Sequence, residues 1–324
     1  MEERMNGFVG GALTVLGVMA AAELGGSMYL YQRTMRRQKK GSTERTIKMA
    51  GTDWEQYKPF IEKRKEVFLS QPLEDVQLVS HDGLRLHASY IPQGDEKKVA
   101  ILFHGYTSEG MKDYIALSDY YIKNGFSMLL PDARAHGRSE GTYIGFGCLD
   151  RLDAAGWINW VLSRCGKDVR MLLHGTSMGG ATVLMCSGLK LPGQVRGIVS
   201  DCAFTSPKYV FTHVLHSMYH LPAFPMIPIA DWMNRRLAGY GMDECNAARE
   251  VKKATVPALI IHGSGDTFVP CRMCEEIYEN YAGEKRKLII PGAAHAESYY
   301  KETERYEMAL DELLEMAGFI SAQK

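Results

Sequence analysis

From residue 74 onward the chain alternates between two textures. The stretch EDVQLVSHDGLRLHASYIP places an apolar residue at nearly every second position and breaks at His81-Asp82-Gly83, which predicts two antiparallel strands joined by a glycine-bearing hairpin. KKVAILFHG is apolar almost throughout and ends at His104-Gly105, the pattern of a strand buried on both faces. A helical pattern, MKDYIALSDYYIKNG, stops at Gly125 and leads into the strand FSMLLPD. The helix CLDRLDAAGWINWVLSR, the strand VRMLLHG and a helix opening at Met178 follow. The alternation resumes with VRGIVSD, VPALIIHGSGD, a helix near CRMCEEIYENY, the strand KRKLIIPG and a last helix from about 298 to 317. Fully apolar strands that alternate with helices predict an α/β fold, here a mostly parallel sheet of about eight strands with helices on both faces.

Two regions depart from this rhythm. Residues 204 to 250 are irregular, with four prolines and many methionines and aromatics between two core strands. At the other end, residues 7 to 31 contain a single charge, Glu23, and as a helix would span roughly 37 Å, enough to cross a bilayer. Arg33, Arg36, Arg37, Lys39 and Lys40 follow at once. A cleaved signal peptide would start with a basic segment, which this chain lacks, although Ala20-Ala21-Ala22 offers a small-residue site. A buried helix of the main domain would be unusually long and glycine-rich. The expectation is a single-pass membrane anchor over 1–32, a basic linker with a helical segment over 33–73, and a catalytic domain over 74–324. The basic cluster then marks the cytoplasmic side. Seven cysteines without framework spacing agree with a reducing compartment.

Lys+Arg and Asp+Glu both total 38, so no basic face for nucleic acid is expected. Cys271-x-x-Cys274 lacks the second ligand pair that a zinc site needs and reads as part of an ordinary helix. His213, His216 and His220 could line one helical face, but no carboxylate or cysteine stands at a suitable spacing. No metal and no cofactor is expected.

The chemistry concentrates in three turns. Gly175-Thr176-Ser177-Met178-Gly179 matches G-x-S-x-G between a strand and a helix, the context in which a sharp bend lifts the serine hydroxyl above the sheet edge. A serine hydroxyl needs a base, and the base needs an orienting acid. Asp266 follows one strand end and His295 follows the next, in the chain order Ser177, Asp266, His295. Attack on a carbonyl also needs donors for the resulting oxyanion. The backbone N–H groups of Met178 and of Tyr106, in the loop LFHGYTSEG, stand in the expected places, with Thr107 as the nearest alternative to Tyr106.

With these residues in view, the chain from about 74 to its C-terminus resembles the α/β-hydrolases. It is most similar to bacterial serine hydrolases with an N-terminal hydrophobic segment, loosely grouped with acylaminoacyl-peptidase-like and fermentation–respiration-switch-like proteins. His104-Gly105, the Pro131-Asp132-x-Arg134-x-His136-Gly137-x-Ser139 segment, the serine turn, Gly265-Asp266 and His295 carry the resemblance. One departure is Ala135, where many relatives have glycine. The resemblance implies a serine hydrolase that forms an acyl-enzyme on a carboxylic ester or thioester, with residues 204–250 as a lid whose apolar content suits an acyl group. A peptidase of the same fold, or a non-catalytic membrane-tethered binding protein, are the alternatives. A dehalogenase would need a carboxylate where Ser177 stands. Asp201 is the rival for the acid, because some relatives carry it after that strand. Asp132 is expected to brace its own loop with Arg134 as partner, and His174 to be a packed, satisfied histidine.

Overall fold

The computed structural model describes residues 24–37 and 51–321. Eight strands form one sheet: β1 (Glu74–Val79), β2 (Arg85–Ile91), β3 (Lys98–Phe103), β4 (Ser127–Pro131), β5 (Arg170–Thr176), β6 (Val195–Asp201), β7 (Ala258–Gly263) and β8 (Lys285–Ile290). Their order is β1-β2-β4-β3-β5-β6-β7-β8. β1 pairs antiparallel with β2, and β2 antiparallel with β4; every pairing from β4 through β8 is parallel. The sequence pattern read this architecture correctly.

The apolar runs are two interleaved faces. In β3, Val99, Ile101 and Phe103 enter one core while Ala100 and Leu102 enter the other. β7 divides the same way, with Ala258 and Ile260 on the first face and Leu259 and Ile261 on the second. Alternate side chains point to opposite faces, so a strand covered on both sides must be apolar at every position. β1 lies at the edge of the sheet and alternates half-buried with exposed residues instead.

The helices supply the covers. Residues 24–35 form helix α1, whose Tyr31 and Met35 sit one turn apart in the first core. Helix α2 (Lys58–Leu69) lies on the other face, where it buries Phe68. Helix α3 (Asp150–Cys165) covers the first face with Trp157, and α4 (Met178–Ser187) is buried along its whole length against the middle strands. Between β6 and β7, α5 (Pro207–Met218) and α6 (Met226–Leu237) form the insert. Helix α7 (Thr303–Met316) closes the second face with Tyr306, Leu310, Leu313 and Leu314.

Two expected boundaries shift. The stretch at the end of the expected lid turns back into the first core through Ala247 and Ala248, which leaves α5, α6 and the loop joining them as the insert itself. Likewise, the end of the expected anchor packs with the sheet through the fully buried Tyr31, and the start of the expected linker does so through Met35, also fully buried, and Arg37, whose N donates to Thr142 O at 2.8 Å. Residues 1–23, which hold most of the apolar segment, and residues 38–50 lie outside the described residues. Among the described residues no helix is long and apolar enough to cross a membrane.

Candidate active site

β3 and β5 are neighbours, with β4 beyond one and β6 beyond the other, so the chain order reverses between them. At such a switch point the loops leaving the carboxyl ends diverge and open a crevice. Ser177 stands there, between β5 and α4, at φ 56° and ψ −112°. A side-chain-bearing residue in such a region costs about 1–3 kcal/mol, which the surroundings must impose. They do so through two glycines. A Cβ at Gly175 would collide with the carbonyl oxygen of Gly179, and one at Gly179 with that of Phe103. The backbone therefore closes tightly around the bend, Ser177 N donates to Asp201 O at 2.8 Å, and the hydroxyl is left at the sheet rim.

Asp266 and His295 converge on it from the loops after β7 and β8. Ser177 Oγ lies 2.8 Å from His295 Nε2, and His295 Nδ1 lies 2.7 Å from Asp266 Oδ2. A carboxylate only accepts, so Nδ1 carries the imidazole proton and Nε2 is free to accept from the serine hydroxyl. Asp266 Oδ1 accepts from the amides of Phe268 and Val269 at 2.9 and 2.8 Å. Burial alone would raise the Asp266 pKa, but the positive charge available at His295 and hydrogen bonds from His262 and His295 outweigh it and hold the carboxyl well below its usual range. All three residues are buried.

Asp201, the rival acid, is elsewhere. Its Oδ2 accepts from Tyr306 OH at 3.2 Å, and burial raises its pKa to about 6. It ends a buried chain in which Tyr121 OH reaches His174 Nδ1 at 2.6 Å and His174 Nε2 reaches Tyr306 OH at 3.2 Å. Both His174 nitrogens are thus satisfied, and burial holds that imidazole down to about 3, so it stays neutral. Cys202 lies close to Asp266 and His295. Burial, then the carboxylates of Asp201 and Asp266, raise its thiol well above the ordinary value, which makes it a poor nucleophile or metal ligand.

The loop after β3 is braced by residues that the sequence alone did not single out for this role. Gly105 N donates to Asp113 Oδ2 at 2.7 Å, and Thr107 N donates to His136 Nε2 at 3.3 Å. The amide of Tyr106, between them, has no acceptor among the described residues. Met178 opens α4, so its N–H has no intrahelical partner either. These are the two donors expected for an oxyanion, whereas the amide of Thr107, the alternative, is engaged by His136. Burial, then the neighbouring His104, holds the His136 imidazole down to about 3, so it remains a neutral acceptor. His104 donates from Nδ1 to Gly105 O at 2.7 Å and accepts Ala133 N at Nε2 at 2.9 Å.

Asp132 does brace its loop, accepting from Gly110 N at 3.1 Å and Arg138 N at 3.0 Å. Arg134 is not its partner: the guanidinium grips Asp153 with two bonds of 2.7 Å and reaches Asp82 at 2.8 Å. Ala135 sits at φ 61°, the left-handed conformation that a glycine adopts with less strain.

Both N-terminal segments touch the site. Thr34 O accepts from Tyr106 OH at 3.0 Å, on the oxyanion side. On the histidine side, Thr52 Oγ1 donates to His295 O at 2.6 Å and Tyr57 OH donates to Glu297 Oε1 at 2.7 Å. An apolar cavity of about 150 Å³ reaches Ser177 between α1, α5 and α6, walled by Leu30, Tyr31, Phe146, Val214, Leu215 and Ile227. A second cavity, of about 280 Å³, opens on the other side of Ser177 and His295 among Trp54, Asp113, Tyr299 and Tyr300. In the insert, His213 Nε2 donates to Thr267 O at 2.9 Å while His216 and His220 face solvent, so the three do not converge. Cys271 precedes the helix Arg272–Asn280 and Cys274 lies buried within it.

The family model described as "Serine aminopeptidase, S33" matches residues 94–235, a span that includes Ser177 but neither Asp266 nor His295. The uncharacterized protein YqkD of Bacillus subtilis is 26% identical over 233 residues, covering 72% of this chain and 76% of that protein. Caffeoylshikimate esterase of Arabidopsis thaliana is 22% identical over 275 residues, covering 72% of this chain and 82% of its own. Among solved structures, the esterase Pf2001 of Pyrococcus furiosus superposes with a TM-score of 0.61 at 23% identity, over 76% of this chain and 93% of the other. The sheet order and these likenesses agree: the chain has the α/β-hydrolase fold.

Proposed function

We propose that the protein is a serine hydrolase that cleaves carboxylic esters, or thioesters, through an acyl-enzyme. The observation that carries this reading is the unbroken chain from Ser177 Oγ to His295 Nε2 at 2.8 Å and from His295 Nδ1 to Asp266 Oδ2 at 2.7 Å. His295 takes the serine proton as Oγ attacks the acyl carbon, and Asp266 stabilises the imidazolium that forms. The amides of Tyr106 and Met178 receive the negative oxygen. The imidazolium then returns its proton to the departing alcohol or thiol, and a water activated by the same base releases the acid. The apolar cavity would take the acyl chain, and the tyrosine-lined cavity opposite would take the leaving group.

A peptidase is the competing reading, because the matched family model is that of a serine aminopeptidase. An aminopeptidase needs a free carboxylate for the substrate amine, and both acids that line the second cavity are engaged: Asp113 bonds Gly105 N and Ser108 Oγ, and Asp201 accepts from Tyr306 OH. That favours the ester. As a further part of the proposal, residues 7–23 anchor the protein in a membrane, with the hydrolase unit on the side marked by Arg33, Arg36, Arg37, Lys39 and Lys40.

The test is covalent labelling by a fluorophosphonate, expected to be stoichiometric for the wild type and absent for Ser177→Ala. Equal labelling of both would remove Ser177 as nucleophile. Rates on nitrophenyl esters should exceed those on aminoacyl nitroanilides, and the reverse order would establish the peptidase. Labelling of the hydrolase unit by an impermeant cysteine reagent on intact cells would overturn the cytoplasmic placement.

A further inference from the structure

The acyl cavity is walled on one side by the tail of the N-terminal apolar segment. Ser27, Leu30, Tyr31 and Thr34 of α1 line it, and the sixteen residues 7–22, a short way upstream, carry no ionisable side chain. On the other side stand α5 and α6 of the lid. The cavity is small. An engineered cavity of about 150 Å³ in another protein holds a benzene molecule, so about six carbons fit here and a longer acyl chain must emerge at the mouth.

What it would meet there is apolar. Leu24, Met28, Tyr219, Leu221, Phe224 and Trp232 are exposed on the elements that wall the cavity, namely α1, α6 and the loop before α6, with Trp232 on the outer side of α6. Phe224, at the tip of the loop between the two lid helices, is 77% exposed, and Trp232 on α6 is 59% exposed. Arg236 lies with its guanidinium 5.8 Å from the Trp232 ring centroid, an aromatic and a cation side by side. Aromatic rings beside basic residues suit the boundary between acyl chains and anionic headgroups.

We infer that this rim seats on a lipid bilayer and that the substrate is a long-chain acyl ester or thioester drawn from it into the cavity between α1 and the lid. The inference rests on the hydrolase reading above. It names the occupant of the rim as lipid because the chain that leads into α1 is itself an apolar segment long enough to meet a bilayer. The reaction is otherwise unchanged: the acyl carbon–oxygen or carbon–sulfur bond breaks, water supplies the hydroxyl of the acid, and its other proton goes to the leaving group.

The experiment uses the full chain reconstituted in vesicles of phosphatidylcholine and phosphatidylglycerol. Two probes are compared: nitrophenyl butyrate in the water phase and methylumbelliferyl palmitate dissolved in the bilayer. Phe224 and Trp232 do not line the cavity, so the Phe224→Ser/Trp232→Ser protein should hydrolyse the butyrate within about twofold of wild type and the palmitate about tenfold more slowly. Equal rates on both probes, or equal losses on both, overturn the inference. A second measurement is independent of turnover. In Ser177→Ala protein, lipids brominated on their acyl chains should quench tryptophan fluorescence, and Trp232→Phe should remove most of the quenched component. No change on that substitution overturns the rim as a lipid contact even if the enzyme is active. Absent fluorophosphonate labelling and absent butyrate hydrolysis, by contrast, mark failure of the hydrolase reading itself.

Discussion

Replacing Asp266 and Asp201 in turn, each with asparagine, separates the acid that holds the imidazole from the acid buried beneath it. In the wild type, Asp266 Oδ1 takes two loop amides and Oδ2 takes His295 Nδ1–H, with His262 Nε2 at 3.3 Å. Asparagine has one acceptor oxygen, which the amides of Phe268 and Val269 claim, so its NH₂ faces His295. The imidazole must then accept at Nδ1 and carry its proton on Nε2, pointed at Ser177 Oγ, where no base remains. The expected loss in kcat is about ten-thousandfold, or about 5 kcal/mol of transition-state stabilisation. Asp201→Asn keeps an acceptor for Tyr306 OH and touches no reacting atom, so kcat should stay within about threefold.

Stability moves the other way. Asp201 has a folded-state pKa of about 6 against 3.8 for the ordinary side chain, with burial as the first cause. The folded state binds the proton more tightly, so the wild type loses stability as pH rises from the unfolded value through the folded one. Above both values the cost is on the order of 3 kcal/mol, and below both it is absent. Asp201→Asn should therefore stabilise the protein by up to about 3 kcal/mol at about pH 8, with the gain fading toward about pH 4. Steady-state rates on nitrophenyl butyrate and urea unfolding at the two pH values test both halves. If Asp201→Asn abolishes turnover while Asp266→Asn keeps more than about a tenth of it, the assignment of the acid is wrong.

His136→Ala removes the acceptor of Thr107 N and loosens the oxyanion loop; kcat should fall about tenfold with KM nearly constant, and an unchanged kcat would show that Asp113 holds the loop alone. Arg134→Met leaves Asp153, whose pKa burial raises to about 6, without its bidentate partner. Urea unfolding should show a loss of about 3–5 kcal/mol at about pH 8 and less at about pH 4, where Asp153 is protonated; a loss independent of pH would contradict the buried-charge account. Ala135→Gly relieves a left-handed residue at φ 61°, offset in part by the greater freedom of glycine when unfolded. The expected gain is up to about 1 kcal/mol, read as a higher Tm, and a lower Tm would mean that the methyl group packs usefully.

The strands were legible because burial on both faces leaves only one composition for β3, β5 and β7, and the turn at Ser177 because backbone closure admits no residue but glycine at 175 and 179. Local pattern failed where partners come from far away. Proximity in sequence pairs Arg134 with Asp132, whereas its partners Asp82 and Asp153 arrive from the β1–β2 hairpin and from α3. The choice between Asp201 and Asp266 could not be made from strand ends alone, since both follow one; the distance to His295 separates them. Tyr106 and Thr107 are likewise indistinguishable as sequence, because backbone donors carry no side-chain signal, until His136 takes one of the two amides. The apolar segment 7–31 read as one object because hydropathy does not distinguish a helix that meets lipid from one that meets protein. Tyr31, whose hydroxyl bonds Asn234 Oδ1 at 3.1 Å, belongs with the protein.

Cutting the chain at Glu74, where the strand pattern begins, would yield a piece that keeps the whole sheet and the serine bend. It would lack Thr52 and Tyr57, the two tethers on the histidine loop, and the helix that closes one flank of the apolar cavity. Such a fragment would also bare the core surfaces that Tyr31, Met35 and Phe68 cover, so a poor rate on bulky substrates in it would not report what the intact protein prefers. On the proposed reading, α1 supplies part of the substrate cavity, so exchanging this helix should change substrate preference without altering any side chain of the Ser177–His295–Asp266 chain.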